Sequence, residues 1–298
     1  MSRFVPGATA LGLLAILFWS TSVGVTRSTA EALGPTGAPA VLFTVSALLL
    51  LPGRTPLNLI PRGYLWLGGL LFVAYQLCFV LALGLARSRA EAIELGMVNY
   101  LWPGLTVLCS VAADRLRPNW QVLAGLGLAL VGIATAASPA DGLSLLRILG
   151  NARENPLCYG LALAAAVAWA LYSTSTKHLA QGRSALWYHV AASACAFWLL
   201  HLAQPDPPRM AFSTGVVFLV GLSGAAVTLA YACWNRGLLH GNIHLLALAA
   251  NTTPLLAALF ASALLQTSLP PIFWIGAALV AVGSGVAGHG ARKLARRR

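Results

Sequence analysis

Residues 98–103 read Val-Asn-Tyr-Leu-Trp-Pro, and residues 249–254, at a shift of 151 positions, read Ala-Ala-Asn-Thr-Thr-Pro. Each proline lies inside a long apolar stretch. Because proline has no N–H for the carbonyl four residues earlier, each stretch is predicted to break beside Pro103 and Pro254. Two breaks at a fixed shift suggest that the chain consists of two related halves.

Other residues match at nearly the same shift. The matches fall in three pairs of apolar stretches and keep their order: Pro103 with Pro254, Gly125 with Gly276 and Gly132 with Gly283 at a shift of 151, and Trp19 with Trp169 and Arg27 with Lys177 at a shift of 150. A single match is common in a chain rich in Ala, Leu and Gly, but five ordered matches rarely arise by chance. We therefore predict an internal repeat.

The composition excludes a water-soluble globule. Of the 298 residues 58% are hydrophobic and 9% are charged, whereas soluble domains carry about 25% charged residues. At about 20 residues per spanning helix, the sequence predicts an all-α membrane protein with ten transmembrane helices. These are expected at residues 5–26, 37–51, 64–86, 91–112, 119–137, 157–177, 185–203, 212–236, 243–265 and 271–290.

The repeat divides these helices into two sets of five. Residues 1–138 form repeat one with helices one to five, residues 157–298 form repeat two with helices six to ten, and loop 139–156 joins them. Because five is odd, the second repeat enters the membrane inverted relative to the first. The expected fold is an inverted five-plus-five repeat with a pseudo-two-fold axis in the membrane plane.

The positive charge is interpreted as a topology signal. The net charge is +12, but the basic residues stand singly in short gaps, apart from one cluster at residues 292–298, so no nucleic-acid partner is expected. Thirteen Lys and Arg fall on one side of the predicted topology and six on the other. By the positive-inside rule both termini are predicted to be cytoplasmic.

The residues beside the two prolines are candidates for a binding site. Both prolines lie near the middle of the bilayer, where broken helices persist if neighbours or a cavity satisfy the main chain. Trp19, Trp102 and Trp169 are also deep, although tryptophan is usually found at membrane interfaces. Packing in the core is the alternative for each residue. The candidates for binding substrate are Trp19, Tyr75, Gln76, Asn99, Tyr100, Trp102, Trp169, Trp234 and Asn251.

The ten helices, the inverted repeat, the prolines of helices four and nine and the Gly-x6-Gly of helices five and ten resemble the drug/metabolite transporter superfamily, and the EamA-type branch most. Residues 17–22 (Leu-Phe-Trp-Ser-Thr-Ser) and 98–103 are similar to the aromatic amino acid exporters of that branch. The resemblance implies a secondary transporter of a bacterial inner membrane that exports aromatic amino acids by alternating access. Other neutral amino acids, metabolites or drugs are the alternative cargo.

The sequence gives little support to an enzyme. It contains no HExxH, no GxSxG, no paired intramembrane carboxylates and no phosphate-binding loop, which such chemistry would need. The five cysteines form no CxxC pair, so neither a metal site nor a cofactor is expected. The expected partners are a small-molecule substrate and the lipid bilayer. Since one chain contains both repeats, a monomer is expected.

Overall fold

The computed structural model describes residues 6–115, 117–136, 145–207, 210–240, 246 and 249–295. Every regular element in these ranges is helical. The α-helices are α1 (Pro6–Ser20), α2 (Ser22–Leu33), α3 (Gly37–Leu50), α4 (Gly69–Gly84), α5 (Arg89–Asn99), α6 (Trp102–Ala113), α7 (Trp120–Ala136), α8 (Leu145–Glu154), α9 (Pro156–Leu179), α10 (Leu186–Leu202), α11 (Thr214–His240), α12 (Thr253–Leu264) and α13 (Pro271–Ala295). A π-helical turn, Tyr64–Gly68, precedes α4.

The helices coincide with the predicted apolar segments, with two main differences within residues 1–138. The segment predicted at 91–112 is divided between α5 and α6. The segment predicted at 5–26 is divided between α1 and α2, extends to Leu33 and bends by 43°. The predicted start of the ninth segment, residues 243–245, lies outside the described residues.

The bend between α1 and α2 lies at Thr21 and involves no proline. The Thr21 main-chain N–H donates to the Phe18 carbonyl at 3.1 Å, and the Thr21 hydroxyl donates to the same oxygen at 2.7 Å. The Phe18 oxygen therefore accepts from a residue three positions later rather than four, which tightens the helical turn. The prediction of one continuous first helix was wrong for this reason.

The segment predicted as loop 139–156 contains helix α8. Its ten residues combine four Leu and Ile with two Arg, one Asn and one Glu. A search for apolar runs of about 20 residues does not detect such a short amphipathic helix, so the prediction of a loop was wrong over α8. Residues 139–144 lie outside the described part of the chain.

The outer surface of the helix bundle is apolar. Trp66 is 75% exposed, Trp120 73%, and Leu199 and Phe218 70% each. Five described helical segments are long and apolar enough to cross a membrane, with α5 and α6 counted as one segment. The bent α1–α2 pair makes a sixth if it is a single span, and four shorter helices are also apolar. Soluble proteins rarely expose apolar surface on this scale. The chain is an all-helical membrane protein.

Helices α7 and α13 pack antiparallel through glycine. A Cβ added to Gly132 would lie 2.7 Å from the Gly276 carbonyl oxygen, and a Cβ added to Gly125 would lie 2.5 Å from the Gly283 carbonyl oxygen. Such separations leave no room for a side chain. Small residues let the two backbones approach closely, as is typical of helix contacts in membranes.

This contact predicts different effects for two valine substitutions in α7. Gly132→Val must separate α7 from α13 and is expected to destabilise the protein by about 1–3 kcal/mol or more. Gly127→Val is the matched control, because no atom lies within 4 Å of a Cβ added there. Thermal unfolding of both purified variants in detergent measures the difference. An equal melting temperature for the two variants would contradict this account of the packing.

Candidate substrate-binding cavity

Interruptions of three spans border one cavity. The first lies at Thr21 between α1 and α2, and the second at Tyr100 and Leu101 between α5 and α6. The third lies at Asn251 and Thr252, before α12. Pro103 and Pro254 occupy the first turns of α6 and α12, where a proline loses no helical hydrogen bond. Each proline therefore begins a new helix after a short break.

The cavity lies between the two halves of the chain. Its volume is about 100 Å³, several times the space that one water molecule requires. Side chains of α1 to α6, α9, α11 and α12 and of the breaks between them line it. The lining residues are Phe18, Trp19, Thr21, Ser22, Val25, Thr26, Thr29, Pro39, Leu42, Phe43, Tyr75, Gln76, Phe79, Val80, Asn99, Tyr100, Trp102, Trp169, Ser223, Ala226, Val227, Tyr231, Ala250 and Thr253.

Seven of the nine residues predicted to bind substrate line this cavity. They are Trp19, Tyr75, Gln76, Asn99, Tyr100, Trp102 and Trp169. Trp234 does not line it but packs behind Trp19, with the ring centroids 5.0 Å apart. Asn251 lies at the third break, and its amide nitrogen would be 3.6 Å from a Cβ added to Gly285 of α13. The amide of Asn251 therefore faces α13.

Trp169 of α9 is the centre of an aromatic cluster at the cavity wall. Its ring centroid lies 4.5 Å from that of Tyr75 and 6.2 Å from that of Trp102. The distances to Tyr172 and Tyr231 are 5.2 Å and 6.4 Å. The rings are tilted or edge-on, the arrangements that aromatic pairs prefer. A planar ring that entered the cavity would meet several of these faces and edges.

The polar groups of the cavity are neutral. The Gln76 amide nitrogen donates to the Tyr231 hydroxyl at 2.8 Å, which joins α4 to α11. Asn99 is 3% exposed, and its Oδ1 has no hydrogen-bond partner in the described structure. Among the described lining residues there is no Asp, Glu, Lys, Arg or His. The cavity can therefore hold a solute of zero net charge without burying an opposing charge.

Sequence reasoning missed several lining residues. Phe18, Ser22, Val25 and Thr29 repeat every three or four positions on the face of the first span that carries the cavity. That periodicity could have identified them. Tyr231 lies one helical turn before Trp234, the candidate chosen on the same helix. The choice between them depends on the rotation of α11, which its sequence leaves open.

An ionic network lies outside the cavity. Arg27 pairs with Glu31 at 2.9 Å, and Glu31 pairs with Arg89 at 2.8 Å. Arg27 also donates to the Ala86 carbonyl at 2.6 Å, and Arg89 donates to the Leu265 carbonyl at 3.0 Å. The network therefore joins α2 and the start of α5 to the chain that follows α4 and α12, at the end where the cavity-lining residue Thr29 lies.

The described residues hold no cluster of three His, Cys, Asp or Glu side chains that could bind a metal ion. The ionic groups of the network are paired with one another or with carbonyls. The arrangement of the cavity suits reversible binding through ring contacts and neutral hydrogen bonds.

Comparison with known proteins identifies the family. The EamA-like transporter family matches residues 156–287. The chain is 42% identical to the aromatic amino acid exporter YddG of Escherichia coli over 93% of this chain and 95% of the relative. It is 40% identical to YddG of Salmonella typhimurium over the same shares, and 30% identical to YddG of Ancylobacter novellus over 87% and 88%. A protein crystal structure aligns with a TM-score of 0.64 and 26% identity, over 97% of this chain and 98% of the other. The chain belongs to the EamA-like transporter family.

Proposed function

We propose that this protein is a secondary transporter that exports aromatic and related amino acids across the bacterial inner membrane by alternating access. The observation that carries the proposal is the uncharged cavity with the Trp169 aromatic cluster at its wall. Three relatives are aromatic amino acid exporters, which agrees with that chemistry.

The cavity offers the two kinds of contact that an aromatic amino acid needs. Ring contacts of about 0.5–1.5 kcal/mol each select the side chain, and neutral hydrogen-bonding groups can meet the two charged ends of the zwitterion. Gln76, Asn99 and Tyr231 supply such groups. Other neutral amino acids, metabolites or drugs are the alternative cargo, because neutral polar groups alone do not require a ring.

Alternating access would follow from an inverted five-plus-five repeat of ten spans, in which spans one to five correspond to spans six to ten. The helix contacts support this arrangement. Contact between spans one and eight, α1 with α11, has its counterpart between spans six and three, α9 with α4. Contact between spans nine and one, α12 with α1, has its counterpart between spans four and six, α6 with α9. Because one chain supplies both repeats, we propose that the monomer transports.

Transport by the wild-type protein tests the function directly. Proteoliposomes loaded with labelled Phe or Trp are expected to release the label faster than protein-free vesicles with the same load. Labelled leucine and a labelled non-aromatic metabolite serve as comparison cargoes. If Phe and Trp do not move while another solute does, the proposed substrate is wrong and the alternative cargo is correct.

Substitution of tryptophan tests the role of the aromatic cluster. Trp102→Ala and Trp19→Ala are expected to raise the half-saturation concentration for Phe and Trp by about two- to twelvefold, the equivalent of one ring contact. Trp66→Ala and Trp120→Ala are matched controls, because both rings are exposed on the outer surface. If the cavity variants lose transport of aromatic and aliphatic cargo equally, the alternative cargo is favoured.

The inverted repeat predicts that both ends of the chain are cytoplasmic. Reporter tags fused before Met1 and after Arg298 are expected to have the same accessibility in sealed cells, with labelling only after permeabilisation. A tag in the gap between α7 and α8 provides the control, since the ten-span topology places that gap outside. Tags on opposite faces would refute ten spans.

A further inference from the structure

Asn99 is a buried acceptor at the wall of the cavity. The residue is the last of α5, is 3% exposed and lines the cavity. Its Oδ1 has no hydrogen-bond partner among the described residues. An unsatisfied buried acceptor is costly, and the cavity beside Asn99 has room for a ligand that supplies a donor. A turn of the Asn99 amide toward the cavity would pair this oxygen with a donor that arrives with the cargo.

The main-chain carbonyl of Asn99 also lacks its helical donor, because that donor would be the N–H of residue 103, which is proline. The matching carbonyl in the second repeat belongs to Ala250. There the Thr253 hydroxyl donates to the Ala250 oxygen at 2.7 Å. Trp102 occupies the position that matches Thr253 and has no hydroxyl group. The two breaks therefore differ, and the one at Asn99 keeps an acceptor free of that internal bond.

The electrostatics on the α5 side of this break favour a cation, while the N-terminal end of α6 lies further along the chain at Trp102. Asn99 stands at the C-terminal end of α5, where the helix dipole gives partial negative charge. No carboxylate is present among the described lining residues, so the acceptors are neutral oxygens. A primary ammonium group has three donors and no acceptor, which fits a cluster of carbonyl oxygens.

We propose that Asn99 binds the α-ammonium group of the transported amino acid through Oδ1 and the adjacent main-chain carbonyl. The proposal rests on the proposed function and adds to it the group of the cargo that this residue recognises. Trp102 is three residues further along the chain and belongs to the ring cluster. One broken span would thus contact both the ammonium group and the aromatic side chain.

Three ligands that carry different charged groups test which part of the cargo Asn99 recognises. They are L-tryptophan, tryptamine, which keeps the ammonium group without the carboxylate, and indole-3-propionate, which lacks the ammonium group. The dissociation constant of each ligand is obtained from the ligand-dependent rise in the melting temperature of the purified full-length protein. The wild type is expected to bind L-tryptophan about tenfold or more tightly than indole-3-propionate, the typical effect of a hydrogen bond to a charged group.

Asn99→Leu is expected to weaken the binding of L-tryptophan and tryptamine by about tenfold. The dissociation constant of indole-3-propionate should stay unchanged. Ser262→Ala of α12 is the control, because its hydroxyl bonds the Leu259 carbonyl of its own helix and does not line the cavity; this variant should keep the wild-type ratio of the dissociation constants. Equal weakening of all three ligands by Asn99→Leu would mean that Asn99 only supports the structure, and the proposal would be overturned.

Asn99→Asp provides a second variant if the leucine variant does not fold. Its carboxylate is expected to strengthen the binding of tryptamine relative to that of indole-3-propionate by about another tenfold. An unchanged ratio of the two dissociation constants would overturn the proposal. A wild-type protein that binds L-tryptophan and indole-3-propionate equally also overturns it, while the proposed function stands. A wild-type protein that binds none of the three ligands refutes the proposed function instead.

Discussion

Within a bilayer every main-chain N–H and C=O group must find its partner inside the protein or in a cavity. Interrupted helices are the places where this requirement is hardest to meet. Here hydroxyl side chains meet it at two interruptions: Thr21 bonds the Phe18 carbonyl, and Thr253 bonds the Ala250 carbonyl. The remaining interruption, which follows Asn99, keeps acceptors at the cavity wall. The cavity therefore lies where main-chain groups of interrupted helices lack partners within their own helices.

Glycine and tryptophan are distributed according to what surrounds each span. Glycines of α7 and α13 allow backbone contact that excludes both side chains and lipid. The tryptophans separate into two groups: Trp66 and Trp120 face outward, whereas Trp102 and Trp169 form part of the aromatic cluster. The same residue type thus anchors the surface in one place and shapes the cavity in another, and depth along the helix distinguishes the two.

Counting residues from the ends of apolar runs identified Trp19, Asn99 and Trp169, since depth in a straight helix is proportional to residue number. The same counting could not identify the break at Thr21, because other threonines of this chain, such as Thr44 and Thr135, bond to their own helices without interrupting them. Tyr231 was missed because the rotation of α11 depends on its packing against α1 and α3, and those contacts are not encoded locally. The length of the apolar runs therefore predicts the helical segments well. The face that each segment turns inward depends on how the helices pack.

The absence of charged side chains from the described cavity wall has an energetic consequence. A zwitterion has zero net charge, so in the proposed transport cycle neither the cargo nor these lining side chains would carry charge across the bilayer. Moving one elementary charge through a potential of 100 mV involves about 2.3 kcal/mol. Movement of the zwitterion past this wall would therefore exchange none of that energy with the membrane voltage.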